Sequence, residues 1–228
     1  MNERKPRRLV LQAGDSRRPL PAALVVPDEV LSACRSASLR IGTPNLTNLG
    51  ITSTLRGEGR TSVAIAMAAV HRDDFGRSVV LVDFDLEGSS LSRRLGAAPV
   101  PGLCEIVRGE STLDAAIQTI SDGVSFVPAG VASGSIARTV TEAGKMDLVA
   151  RLVGLAGLVI ADLPPLLGSD SGRSSAGLFG DLLLVMRAGV TPVARTKEAI
   201  ANLPVEPTVL LNATRSQLPG WIKRFLGE

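Results

Sequence analysis

Ile51-Thr-Ser-Thr-Leu-Arg-Gly-Glu-Gly-Arg-Thr-Ser62 decides how this chain folds. An apolar, β-branched run, Leu49–Ser53, leads into it, and a helical pattern, Thr61–Arg72, leaves it. A strand that turns through glycines into a helix is the setting of a phosphate-binding loop. Gly57 and Gly59 lack a Cβ, so the backbone can turn tightly and aim its amides at an anion. The helix that follows adds the positive end of its dipole. Thr61 is placed to offer a hydroxyl to Mg2+. Against the pattern GxxxxGK[ST], the leading glycine is Thr54 and the lysine is Arg60.

Working outward, further apolar runs follow at Val79–Phe84, Val124–Pro128, Leu158–Leu163, Leu182–Met186 and Thr208–Asn212. They are apolar on both faces, as strands of a parallel sheet covered by helices are. Helical patterns lie around and between them at Pro27–Ile41, Leu113–Thr119, Met146–Gly154 and Val193–Ala201. The alternation predicts an α/β fold: a doubly wound, mostly parallel sheet with helices on both faces. Residues 1–19 read as a basic flexible tail and 20–228 as a single P-loop domain. Two of the strands end in acid: Val82-Asp-Phe-Asp-Leu86 supplies Asp83 and Asp85, and Val159-Ile-Ala-Asp-Leu-Pro-Pro165 supplies Asp162. Carboxylates at the C-terminal ends of parallel strands border the crevice where open α/β sheets bind ligands.

Composition bounds the function. The 228 residues are 45% hydrophobic and 21% charged, which is globular, and the net charge of +3 does not mark a nucleic-acid binder. Of 25 basic residues only Lys5, Lys145, Lys197 and Lys223 are lysines. Cys34, Cys104 and the single His71 cannot supply a zinc site of the usual kind. The sequence shows neither a secretory signal nor a membrane span, so the cytoplasm is the expected compartment. Arg4, Lys5, Arg7, Arg8, Arg17 and Arg18 would give the N-terminal tail about 1 kcal/mol each on an anionic membrane surface. The Pro219–Leu226 segment reads as a short amphipathic helix for core packing, with partner contact as the alternative.

The order and wording of these motifs resemble the bacterial tyrosine kinase (BY-kinase) family, cytosolic partners of polysaccharide co-polymerases. ITSTLRGEGRTS is similar to that family's ITS-x-x-PGEGKST, Val82–Glu87 to VDxDLR, and Val159–Pro165 to VIIDTPP. Gly102–Gly109, Val127–Gly130, Leu184–Thr191 and Leu210–Asn212 match further family segments in the same order, over about residues 45–212. The resemblance implies ATP or ADP with Mg2+ as cofactors. It implies that Gly57, Glu58, Gly59, Arg60, Thr61 and Ser62 surround the phosphates and that Asn212 sits near the adenine. Asp83, Asp85 and Arg60 would then be catalytic, and Thr61, Asp83 and Asp162 would hold the metal. The implied role is in exopolysaccharide assembly beside a membrane-embedded co-polymerase or adaptor, at the inner face of the membrane.

Several departures bear on activity. Arg60 replaces a compact ammonium with a planar fork, which is not a conservative change. Glu87 stands where the family has arginine. The helix signature E-x-x-R-x-x-R, linked to ring assembly, falls on Cys34, Ala37 and Arg40 and keeps only the last, while a homo-oligomer by another contact stays open. The chain has no tyrosine, so it has none to phosphorylate on itself. These departures predict a pseudokinase-like member with weakened nucleotide binding and weakened or lost phosphotransfer. Two other readings remain: a Par/Min-type partitioning ATPase, whose extra loop lysine is here Leu55, and a scaffold of the same fold that binds no nucleotide.

Overall fold

In a computed structural model the described residues are 8–9 and 24–212. The rest of the basic tail and the Pro219–Leu226 segment lie outside them. Two strands, β1 (Arg8–Leu9) and β2 (Leu24–Val25), form a small antiparallel pair.

The main body starts with α1 (Asp28–Ile41) and β3 (Asn48–Ser53), then α2 (Arg60–Asp73) and β4 (Val79–Asp83). Three short helices follow, α3 (Ser90–Leu95), α4 (Leu103–Val107) and α5 (Leu113–Ala116), leading to β5 (Gln118–Ser121) and β6 (Val124–Val127). Then come α6 (Ile136–Lys145), α7 (Leu148–Ala156), β7 (Val159–Asp162), α8 (Gly172–Ala176), β8 (Asp181–Arg187), α9 (Val193–Ile200) and β9 (Thr208–Asn212).

Seven strands make one sheet in the order β5-β6-β4-β7-β3-β8-β9, parallel except for β5. Each inner strand is apolar on both sides because each side is covered. Val79, Leu81, Ile160 and Val185 face a layer built from α1, α2 and α3, while Val80, Val82, Val159 and Leu184 face α4, α6, α7 and α9. This is the doubly wound architecture that the sequence predicts.

Local differences have local causes. The helix expected over Leu113–Thr119 stops at Ala116, because Gln118–Ser121 pairs antiparallel with β6 and closes that sheet edge. The Met146–Gly154 helix is displaced to Leu148–Ala156 and closed by Gly157 in a left-handed conformation. Helix α6 was not foreseen; it buries Val140 and Ala143, packs a half-buried Ile136 against the core and leaves Arg138, Thr141 and Lys145 exposed.

Candidate functional site

The site grows from the end of β3. Past Ser53 the backbone turns through Gly57 at φ +84° and Gly59 at φ +100°, left-handed conformations that glycine adopts without strain. Helix α2 begins at the next residue, Arg60, so its first free amides face the loop. The loop is braced from within. Glu58 is buried, and its carboxylate accepts from the Leu55 amide (2.8 Å) and from the Thr191 hydroxyl. Asn212, at the end of β9, donates through Nδ2 to the Glu58 carbonyl (2.9 Å). A side chain on Gly59 would collide with that amide group. Both Glu58 and Asn212 therefore hold the shape of the loop.

Two adjacent parallel strands bring acid to the same edge. Asp83 of β4 and Asp162 of β7 are register partners, and Ile51 of β3 pairs with Asp162 from the other side. Thr61 Oγ1 donates to Asp162 Oδ2 at 2.6 Å. Asp83 Oδ2 accepts from the backbone amide (2.8 Å) and hydroxyl (2.7 Å) of Ser92, and Oδ1 from the Asp85 amide (3.3 Å). Asp85 Oδ1 accepts from the Gly88 amide at 3.0 Å. Burial pushes the Asp162 carboxyl up to about 7, although the Arg60 charge and the Thr61 hydrogen bond pull it down. Burial likewise raises Asp83 to about 6, against the hydrogen bonds from Ser92.

The loop residues, Thr61 and the three aspartates thus lie together at one edge of the sheet. Arg60 is the exception in direction. Its side chain is 6% exposed and turns inward from the first residue of α2. Nη2 pairs with Asp85 Oδ2 at 3.2 Å, and Nη1 donates to the Leu163 carbonyl. The loop tip is tied outward instead. Arg56 pairs with Glu87 at 2.6 Å, and Glu87 also accepts from Ser169 at 2.8 Å. Ser62 accepts from Arg94 Nη1 at 2.6 Å. Sequence reasoning missed Ser92, which fixes the Asp83 carboxylate. A serine nine residues past a strand end carries no signal that separates it from an ordinary helix residue.

Mg2+ takes six oxygen ligands and keeps several waters. Thr61 Oγ1 keeps lone pairs after donating its hydrogen, and Asp162 Oδ1 is buried without a hydrogen-bond partner. Those two oxygens fit such an ion, with Asp83 behind them and both its oxygens engaged. Among the described residues no three His, Cys, Asp or Glu side chains gather as a metal cage. An ion here would depend on phosphate oxygens and water for its remaining ligands.

No protein-family profile matches the chain. Tyrosine-protein kinase YwqD of Bacillus subtilis (strain 168) is 24% identical over 156 residues, 67% of this chain and 65% of that protein. The match therefore spans just under two thirds of that relative's length. The kinase domain of the Escherichia coli tyrosine kinase ETK superposes with a TM-score of 0.75 at 23% identity, covering 87% of this chain and 79% of that one. Cobyrinic acid a,c-diamide synthase from Mycobacterium smegmatis, with bound ATP analog and magnesium, gives a TM-score of 0.61 at 19% identity, covering 80% of this chain and 81% of that one. The chain therefore shares the fold of these proteins, a mostly parallel sheet of the P-loop kind, and its sequence is similar to that of a bacterial tyrosine kinase.

Proposed function

We propose that the chain binds the phosphates of an adenine nucleotide at residues 54–62 and has weakened or lost phosphotransfer. The observation that carries this reading is the register pairing of Asp83 with Asp162 beside a glycine loop that opens α2. Phosphoryl transfer is mostly positioning and charge stabilisation, so a loop of amides with nearby acids suffices to hold the ligand. The loss of turnover rests on Arg60, whose guanidinium holds Asp85 and the Leu163 carbonyl rather than reaching outward. Where Mg2+ accompanies the nucleotide, Thr61 and Asp162 would hold it, and it would supply positive charge to the phosphates. Thr61 keeps its hydroxyl aimed by hydrogen bonding to Asp162, and Ser92 keeps Asp83 fixed.

The biological setting we infer is exopolysaccharide assembly beside a membrane-embedded co-polymerase or adaptor. That setting follows the likeness to tyrosine kinases. Leu55, where partitioning ATPases carry a second loop lysine, supports this reading over theirs. The test is a thermal-shift titration with ADP alongside a turnover assay with Mg2+ and ATP. At ADP one hundred times its Kd, binding stabilises the fold by about 2.7 kcal/mol, which raises the Tm. A Tm that ignores every nucleotide contradicts the binding; turnover of about 1 per second or faster contradicts the lost phosphotransfer.

A further inference from the structure

We propose that Arg60 is a specificity residue that closes the third-phosphate position, so that the site takes nucleoside diphosphates in preference to triphosphates. This rests on the nucleotide-binding reading above and goes beyond it by naming the ligand class.

The geometry runs from the loop outward. The phosphates nearest the nucleoside would lie on the amides of residues 57–61 at the start of α2. A third phosphate would extend past them toward Asp83, Asp85 and Asp162, which β4, the turn after it and β7 present at that edge. The Arg60 side chain leaves the first residue of α2 and crosses that space. It is anchored on the far side at two points, Asp85 Oδ2 on the turn after β4 and the Leu163 carbonyl past the end of β7. Asp85 is itself fixed by the Gly88 amide, so the far anchor is part of a formed turn.

A guanidinium held at both ends in a buried place is hard to displace. Moving it strands Asp85 with no cation and leaves the Leu163 carbonyl without its donor. A lysine at this position carries the same charge as a compact point at the end of a flexible stem. It has no planar fork with which to bridge both anchors at once. The change from lysine to arginine thus keeps the charge at the loop and fills the place beyond it. A diphosphate ends before that place and leaves the bridge intact.

Isothermal titration of the full chain with ADP and with ATP, Mg2+ in excess, tests this. ADP should bind at least about tenfold tighter than ATP, a difference of about 1.4 kcal/mol. The Arg60→Lys variant should bring the two affinities to within about threefold of each other. Should that variant fail to fold, Asp85→Asn removes the charged anchor and should narrow the ratio in the same direction. ATP binding as tightly as ADP to the unaltered chain overturns the inference alone, and so does a ratio unmoved in a folded variant. Binding of neither nucleotide overturns the nucleotide-binding reading, and this inference with it.

Discussion

Two polar clusters lie buried in this protein, and they are built on opposite principles. At the C-terminal edge of the sheet, Asp83, Asp85 and Asp162 are buried, and Arg60 pairs with Asp85 and lies near enough to Asp162 to lower its carboxyl. Between α1 and α2, Ser38, Cys34 and His71 form a neutral cluster. The Ser38 hydroxyl donates to the Cys34 carbonyl (2.9 Å) and lies 3.2 Å from His71 Nε2. His71 Nδ1 is buried without a hydrogen-bond partner. Burial, and next the charge of Arg77, lower the imidazole from its ordinary 6.5 to about 4. Neutral packing joins two helices at little electrostatic cost. The charged cluster stores desolvation that a core has no use for, which is why the site is sought there.

The largest expected effect falls on the charged cluster. Asp85→Ala leaves Arg60 buried without its partner and should cost about 3 kcal/mol in urea unfolding. A loss below about 1 kcal/mol would place Arg60 in solvent and erase the contrast with the neutral cluster. Next comes the loop that roofs the charged cluster. Gly59→Ala meets both a left-handed backbone and the Asn212 amide, and should cost about 2 kcal/mol by the same measurement.

The smallest effect is a pH dependence in which the clusters oppose each other. Between about 4 and 6.5 the unfolded chain binds a proton that buried His71 refuses, so this cluster adds stability as pH rises. Asp162 and Asp83, raised from 3.8 to about 7 and about 6, bind protons in the folded state that the unfolded chain has released. Their contribution falls as pH rises through the same range and on to about 7. Two carboxyls oppose one imidazole, so the urea midpoint of the unaltered chain should fall as pH rises from about 4.5 to 6. Asp162→Asn should flatten that fall. An unchanged slope would mean that Asp162 is ionised throughout.

Strand ends were legible because Val82-Asp-Phe-Asp and Ile160-Ala-Asp place acid where an apolar run stops, and the sheet order then brings the runs together. Gly57 and Gly59 were legible because few other residues turn that way. The direction of Arg60 was not. A long side chain at the start of a helix can face the loop mouth or the strand ends, and the choice depends on Asp85 and Leu163, 25 and 103 residues away. The roles of Glu58 and Asn212 were hidden in the same way, since each braces the loop through partners distant in sequence. Strand β5 was missed because Gln118–Ser121 is a half-wet edge whose pairing with β6 is set by the sheet.

A double-mutant cycle with Arg60→Met and Asp85→Asn tests most directly whether the guanidinium is spent on the strand-end acids. A coupling of about 2 kcal/mol in unfolding free energy is predicted. Additivity within about 0.5 kcal/mol would show the two side chains apart and contradict the account.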